Sequence, residues 1–125
     1  MASELRVDTL KDSSGNNSVG MAYVAEGSAK AWVNLDGTGT IAVSDSLNVA
    51  SATDNGTGEY TITFSNSMAN STYSLSGGTG PGSGAYTVLG FTVLATGSHK
   101  IFTSDGGSGQ EDKDPVMSNL HGDLA

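Results

Sequence analysis

The chain has 125 residues, of which 13 are acidic and only 5 are lysine or arginine, so its net charge is −8. This charge disfavours a nucleic-acid backbone or an anionic membrane surface as a partner, because both carry the same sign. The absence of cysteine excludes disulfides and thiolate metal sites. The N-terminal segment has no apolar core, which argues against a signal peptide, and no apolar run reaches the ~20 residues of a membrane span.

The length suits one domain, but the residues available for its core are few. Leucine, isoleucine, valine and phenylalanine make up 24 of the 125 residues. A chain with so little apolar surface and so much net charge lies close to the range in which folding alone fails. We therefore expect a thin domain that completes its core against copies of itself.

Residues 4–10 read ELRVDTL, where Leu5 and Val7 alternate with charged residues and Leu10 follows out of register. This pattern predicts a short strand with a charged outer face. The turn-rich segment at 11–18 interrupts the chain, so the strand has no strong local partner. An unpaired strand tends to pair with the edge of another chain. We therefore predict that Leu5, Val7 and Leu10 contact a neighbouring subunit, with a frayed, functionless terminus as the alternative.

Residues 19–31 are ambiguous in their secondary structure. Their alanine, methionine and glutamate residues allow one or two helical turns, and Gly20 and Gly27 limit the length of such a helix. We interpret residues 1–30 as an N-terminal arm, or connector, that precedes the main domain.

From Trp32 onward, short strands and turns follow one another. Apolar alternation predicts strands at 32–35, 40–43, 47–49, 60–64, 73–76, 86–95, 99–104 and 116–120. Strands at a spacing of roughly 8–12 residues are typical of antiparallel β-domains. We therefore predict an all-β fold, an antiparallel β-sandwich or barrel-like domain over residues 31–125, with homotrimeric assembly.

The core of this domain is predicted from the large apolar side chains of its strands. They are Trp32, Ile41, Val43, Tyr60, Ile62, Phe64, Tyr73, Leu75, Phe91, Val93 and Ile101. This is a small set for two sheets, which again favours oligomerisation.

Two glycines carry predictions of local geometry. Asn55 and Gly56 are predicted to form a type I′ hairpin turn, because this dipeptide suits two residues at positive φ. Gly90 interrupts the most strand-like stretch of the chain, which indicates a bulge or a close approach of another group to the backbone.

The chain offers few groups for catalysis or metal binding. His99 and His121 stand apart, without the spacing of a metal site, and are interpreted as surface residues. The acidic loop at 105–114 suits calcium chemically, but its spacing favours a solvated loop. A glycan-cleaving enzyme needs paired carboxylates across a cleft, and nothing holds Glu59 and Glu111 as such a pair. We predict a protein that is not an enzyme, with no catalytic residues, cofactor or metal.

Exposed aromatic side chains can stack on sugars, and Trp32 and Tyr86 are candidates for this role. Trp32 is the only tryptophan of a chain that is poor in apolar residues. Packing in the core is therefore the favoured interpretation of Trp32, with sugar stacking as the alternative.

Three stretches of the chain resemble segments of tailed-bacteriophage proteins. ELRVDTLKDSSGNNS resembles the N-terminal segment of many phage structural proteins. Residues 29–77 resemble a β-domain common in tail-fibre and tail proteins, with Ala-Trp-Val-Asn, a Gly-Thr-Gly turn, Leu-Asn-Val-Ala-Ser and Asp-Asn-Gly-Thr-Gly-x-Tyr-Thr. The ending HGDLA is similar to the usual terminus of that domain. The resemblance spans nearly the whole chain, but the long fibrous shaft of a tail fibre is missing.

The resemblance implies a homotrimeric β-structure built into a virion, assembled in the host cytoplasm, with no catalytic residues to carry over. The expected function is that of a non-enzymatic structural protein, a tail-fibre or tail-attached module that contributes to host-surface recognition. Its loops at 77–84 and 105–114 would be exposed tips that meet a host glycan or receptor. The alternative is a capsid decoration protein that clamps neighbouring capsid subunits. In either case other virion proteins are expected partners, and Leu5, Val7 and Leu10 are the expected contacts.

Overall fold

A computed structural model of the chain describes residues 2–81, 87–107 and 109–125. Its single helix in this part of the chain, α1, spans Met21–Gly27. The strands of the described residues are β1 (Thr9–Lys11), β2 (Ser18–Gly20), β3 (Ala31–Asp36), β4 (Ala42–Leu47), β5 (Val49–Gly56), β6 (Glu59–Phe64), β7 (Ser74–Thr79), β8 (Val88–Ala95), β9 (Ser98–Ser104) and β10 (Val116–His121).

Two four-stranded antiparallel sheets form the main body of the molecule. The first sheet has the strand order β4-β3-β10-β7, and the second has the order β5-β6-β9-β8. Strands β1 and β2 form a separate two-stranded sheet. The chain is thus mostly β and antiparallel, as predicted. Among the described strands neither sheet closes into a barrel, and the arrangement is sandwich-like.

One core lies between the two large sheets, because each contributes strands whose residues are buried alternately. In β3 and β10 every second residue is buried, and β6 and β9 show the same period. This is the pattern of a strand with one face on a core and one face outward. The buried apolar residues are Ala31, Val33, Leu35, Tyr60, Ile62, Phe64, Met68, Tyr73, Ile101, Val116 and Leu120.

Most of the predicted core residues lie in or against this cluster, but three do not. Trp32 lies on the opposite face of β3 from buried Val33 and Leu35. Val43 lies on edge strand β4 and is 42% exposed, and Val93 is 64% exposed. The prediction for Trp32 is wrong because Ala31, Val33 and Leu35 fill the inward phase of β3, whereas Trp32 shares its phase with Asn34 and Asp36.

Gly90 and Val93 show where β8 departs from regular geometry. A Cβ atom at Gly90 would lie 2.2 Å from the ring of Phe102, so the predicted close approach is confirmed. The irregularity in the pairing of β8 with β9 lies further along, between Thr92 and Ala95. There Val93 adopts φ 49°, a conformation that β-branched residues rarely adopt.

A single residue carries the chain from the first sheet to the second. Asn48 lies between β4 and β5 with φ 55°, a left-handed conformation that asparagine tolerates. Its side-chain oxygen accepts a hydrogen bond from the Asn66 backbone at 2.7 Å, and its amide donates to the Asn66 carbonyl at 3.0 Å. These bonds hold the corner against the loop that follows β6.

The β5–β6 hairpin turns at Thr57 and Gly58, and the predicted turn at Asn55 and Gly56 is wrong. Gly56 is still paired with Glu59, which places the two turn residues one step later. Gly58 has φ +65°, and a Cβ atom there would lie 2.5 Å from the carbonyl oxygen of Thr103. The approach of β9 and the positive φ together require a glycine at this position of the turn.

The N-terminal segment, residues 2–28, differs from the prediction in its strand. Strand β1 covers only Thr9–Lys11, and it pairs with β2 across the turn-rich segment that was expected to leave it without a local partner. Residues 19–31, which were ambiguous in the sequence, contain helix α1, which begins after Gly20, ends at Gly27 and buries no residue. No residue of the N-terminal segment is buried.

Candidate functional site

The outer face of the first sheet carries the most distinctive group of exposed side chains. We call this surface the Trp32 face. Residues paired across antiparallel strands point to the same side of the sheet, so the strand register shows which residues belong to the Trp32 face. Asn119 of β10 pairs with Trp32, Trp32 with Leu47, and Met117 with Asn34. The members are Trp32, Asn34, Asp45, Leu47, Ser76, Met117, Asn119 and His121.

A shallow depression of about 470 Å³ lies on the Trp32 face. It is lined by Ala29, Trp32, Val33, Asn34, Met117, Ser118, Asn119 and His121. Volumes of roughly 300–1,000 Å³ are usual for small-ligand sites. The depression therefore has room for a small ligand around the half-buried indole.

The polar side chains of the Trp32 face leave hydrogen-bonding groups free. Ser76 donates its hydroxyl to Oδ1 of Asn119 at 2.6 Å, which leaves the Nδ2 amide of Asn119 without a partner among the described residues. Asn34 makes no side-chain hydrogen bond within the described part of the chain. Asp45 accepts one bond, from the backbone of Ser46 at 2.8 Å. This surface can both donate and accept hydrogen bonds.

The two aromatic candidates for sugar stacking have different outcomes. Trp32 lies half-buried on the outer face, where an indole is accessible to a ligand. Tyr86 lies outside the described residues. The position of Trp32 therefore fits sugar stacking, the alternative to core packing that the sequence left open.

The described part of the loop at 105–114 is exposed at some residues and packed against the sheets at others. Lys113 is buried and pairs with Glu111. Asp112 accepts hydrogen bonds from the backbone of Gly58 at 2.7 Å and from the hydroxyl of Tyr60 at 3.1 Å. Burial, and then the bond to Asp112, raises the pKa of Tyr60 to about 12. Asp112 and Lys113 thus close one end of the space between the sheets, where the prediction of a solvated loop is wrong. Gly107, Gly109, Gln110 and Asp114 of the same loop are exposed.

The other predicted tip, at 77–84, is only partly described. Its first residues belong to strand β7, which ends at Thr79, so the predicted loop begins too early. Residues 82–84 lie outside the described residues. No candidate site is built on them.

The two histidines occupy different environments. His99 is 2% exposed, and its Nε2 lies 3.2 Å from Oγ of Ser118 on the opposite sheet. The rings of Phe64 and Phe91 lie 5.5 and 6.0 Å from its own. Burial lowers the pKa of His99 to about 4, so it is a neutral core residue and not the surface residue predicted. In the described chain no three His, Asp or Glu residues form a metal-ligand group.

Leu5, Val7 and Leu10, the predicted contact residues, are all exposed. Their exposed fractions are 79%, 37% and 41%. Val19 and Tyr23 of the same N-terminal segment are exposed as well. A depression of about 310 Å³ on the β1–β2 hairpin is lined in part by Leu10 and Val19. Their contact with another chain stays a prediction.

Comparison with known proteins gives no relative. No family model, curated protein or solved structure matches the chain. None of the helical structure in the described residues is long and apolar enough to cross a membrane. The function is therefore inferred from the chain's own residues.

Proposed function

We propose that the protein is a non-enzymatic structural protein of a tailed-bacteriophage virion. In this proposal the two-sheet unit is a tail-fibre or tail-attached module that contributes to host-surface recognition, and residues 1–30 attach it to the particle. The motifs that resemble phage tail proteins support the virion assignment. The distribution of apolar side chains supports the division of roles.

The contrast in burial between the two parts of the chain carries the proposal. The two large sheets enclose a shared apolar cluster. The N-terminal segment exposes Leu5, Leu10, Val19 and Tyr23 and buries nothing. Leu10 and Val19 are paired across the β1–β2 hairpin, and contiguous exposed apolar residues mark surfaces that bind other chains. A segment of this kind is suited to attachment, whereas the two-sheet unit needs no partner to cover its core strands.

Homotrimeric assembly is part of the same proposal. Association of three N-terminal segments would bury the exposed apolar side chains that one copy leaves in water, at a gain of roughly 25 cal/mol per Å². The small apolar content of the chain points in the same direction. Sedimentation analysis of the purified chain at micromolar concentration tests this point, and a stable folded monomer would contradict it.

Capsid decoration is the second candidate function. Strand β1 is hydrogen-bonded to β2 on one side only within the described residues, and residues 2–7 form no strand. A free strand edge can pair with a strand of another protein, as a clamp between capsid subunits requires. The two functions differ in copy number, which is low for a tail module and high for a capsid protein.

The test is incorporation of full-length variants into phage particles. Leu5→Ser together with Leu10→Ser should lower occupancy by about tenfold or more, because each lost apolar contact costs on the order of 1.5 kcal/mol. The matched control is Val43→Ser with Val93→Ser, two valines of the large sheets with similar exposure. Occupancy is measured by mass spectrometry of purified virions.

Normal occupancy of the Leu5 and Leu10 variant would show that the N-terminal segment is not the attachment point. Equal losses in both variants would show that any exposed apolar residue matters, which also contradicts the proposal. Electron microscopy of intact particles then separates the two functions, because density at the tail favours recognition and density over the shell favours decoration.

A further inference from the structure

We propose that the Trp32 face binds a neutral glycan, with a sugar ring stacked on the indole of Trp32 and its hydroxyls bound by Asn34, Asn119 and Asp45. This inference rests on the proposed recognition function and names its ligand class and its site. The site lies on the flat outer side of the first sheet and not on the loops.

The position of Trp32 is the first reason. A chain with a single tryptophan and few apolar residues would gain most by burying it, yet Trp32 lies half-buried on the outer face. The C–H side of a sugar ring is apolar and flat, and an indole offers a large rigid surface for it. Leu47 and Asn119 flank Trp32 on the neighbouring strands, so a ring seated there has an apolar and a polar side.

The free polar groups around Trp32 are the second reason. A sugar hydroxyl both donates and accepts, and therefore needs mixed partners. The Nδ2 amide of Asn119 is free to donate, the side chain of Asn34 can do both, and the carboxylate of Asp45 accepts. These groups lie one pairing step or one strand from Trp32 in the sheet. They can bind the rim of a ring whose face rests on the indole.

The charge of the face decides between neutral and anionic ligands. No lysine or arginine lines the described depression, whereas Asp45 lies at its edge strand. The whole chain carries a net charge of −8. A sulfated or sialylated glycan, or a phosphate, would be repelled by this field. A neutral glycan is bound without that penalty.

A second copy of the chain is a poorer occupant of the same face. The large apolar members of the face are only Trp32, Leu47 and Met117. Packing a protein surface on them would remove water from the free amides of Asn34 and Asn119, which is unfavourable for each group left without a partner. Small ligands with hydroxyls can satisfy these amides.

The single tryptophan gives a direct binding measurement, because all tryptophan fluorescence of the protein comes from Trp32. The probes are neutral oligosaccharides of glucose, galactose, mannose and N-acetylglucosamine, with sialylated and sulfated oligosaccharides as anionic comparisons. We expect a saturable fluorescence change with at least one neutral probe and weaker or no binding of the anionic ones. Absence of binding by every neutral probe, or preference for an anionic one, would overturn the proposal.

Calorimetry with the bound probe then locates the site. Trp32→Ala should weaken binding by about tenfold or more, and Asn34→Ala and Asn119→Ala by several-fold each. The control Val93→Ser, on the other sheet, should bind as the wild type does. Unfolding temperatures close to wild type establish that the variants are folded. Unchanged affinity in folded Trp32→Ala would overturn the assignment of the site.

Two further measurements separate this inference from the recognition function on which it rests. If the purified chain binds host cells but Trp32→Ala binds equally well, the glycan site is wrong and the recognition function stands. If the chain binds a neutral probe through Trp32 but does not bind host cells, the recognition function is wrong and the site stands. If Trp32→Ala changes the oligomeric state in sedimentation, the face is an interface between copies and the glycan proposal falls.

Discussion

Two hairpins of this chain have similar local sequences, but one is exposed and the other contributes buried residues to the core. The β1–β2 hairpin and the β5–β6 hairpin both place polar, glycine-containing turns between short antiparallel strands. The first buries none of its residues, whereas the second buries Tyr60, Ile62 and Phe64. Strand β6 has β9 on its other side and the first sheet across the core, and β1 has neither. A hairpin alone is marginal in water, so the packing partner decides its stability.

The largest expected difference in the free energy of unfolding comes from substituting an apolar side chain in each of the two hairpins. Ile62 of β6 is fully buried, and Val19 of β2 is 38% exposed. Ile62→Ala should lower the free energy of unfolding by about 4 kcal/mol, because it leaves a cavity in the core. Val19→Ala should change it by less than about 0.5 kcal/mol. Urea denaturation measures both, and a loss at Val19 of the size seen at Ile62 would break the comparison.

The pH dependence of stability should also come from the packed part of the chain. The pKa of His99 is about 4 when folded and near its ordinary 6.5 when unfolded. The unfolded state therefore binds more protons in this range, and stability is full above about pH 6.5 and falls as the pH drops towards 4. The total loss is on the order of 3 kcal/mol. Thermal unfolding between pH 7 and 4 measures it.

Two variants assign this pH dependence. His99→Leu should remove most of the fall between pH 6.5 and 4, whereas His121→Gln leaves the buried His99 in place and should retain it. The hydrogen bonds from Thr38 lower the pKa of Asp36, whose effect on stability is confined to pH values below its ordinary 3.8. A fall that persists in His99→Leu would show that another group controls it.

Substitution of a turn glycine in each hairpin should have a smaller effect on stability. Gly58 and Gly15 both have positive φ, +65° and +72°. A Cβ atom at Gly58 would lie 2.5 Å from the Thr103 carbonyl oxygen, whereas nothing lies within 4 Å at Gly15. Gly58→Ala should cost about 2 kcal/mol of unfolding free energy, since strain and a backbone clash add. Gly15→Ala should leave the melting temperature of the two-sheet unit unchanged, and an equal loss in both would show that the two turns are equally coupled to the core.

The smallest expected effect is an increase in stability. Val93 has φ 49° and is 64% exposed, so its conformation is strained and its side chain packs little. Val93→Asn should raise stability by about 1 kcal/mol, or the melting temperature by a few degrees, because asparagine tolerates this conformation. Val43→Asn is the control, since Val43 is also exposed, at 42%, but has no positive φ. A lower melting temperature in Val93→Asn would contradict the strain.

The strands with one clear apolar phase could be predicted from the sequence. In β6 the apolar residues occupy one phase only, and Tyr60, Ile62 and Phe64 are buried as expected. In β3 the inward phase is Ala31, Val33 and Leu35, and Trp32 shares its phase with the polar Asn34 and Asp36. The alternation of β3 thus already places Trp32 on the outer face, and the prediction went wrong because it followed residue type instead of alternation.

The loop at 105–114 and the Trp32 face show that local sequence patterns do not predict contacts between distant segments. A polar, glycine-rich loop predicts solvent exposure. Asp112, however, accepts hydrogen bonds from Gly58 and Tyr60, which lie more than 50 positions earlier in the chain. Trp32 was recognisable as a possible sugar-stacking residue from its type. Its neighbour Asn119 becomes visible only when β3 and β10 pair. Contacts between distant segments therefore account for the partners of Asp112 and Trp32, which the sequence did not predict.

Force that enters the chain from its N-terminal side reaches the two-sheet unit at β3. Ala31, the first residue of that strand, pairs with Leu120, and Lys30 donates a backbone hydrogen bond to Leu120 at 2.8 Å. Trp32 is the next residue along. Tension between residues 1–30 and a ligand on the Trp32 face would thus enter at one end of β3, the strand that also carries Ala31, Val33 and Leu35 of the core. A pull along β3 would shear its hydrogen bonds to β4 and β10 together, which resists rupture better than opening them one at a time.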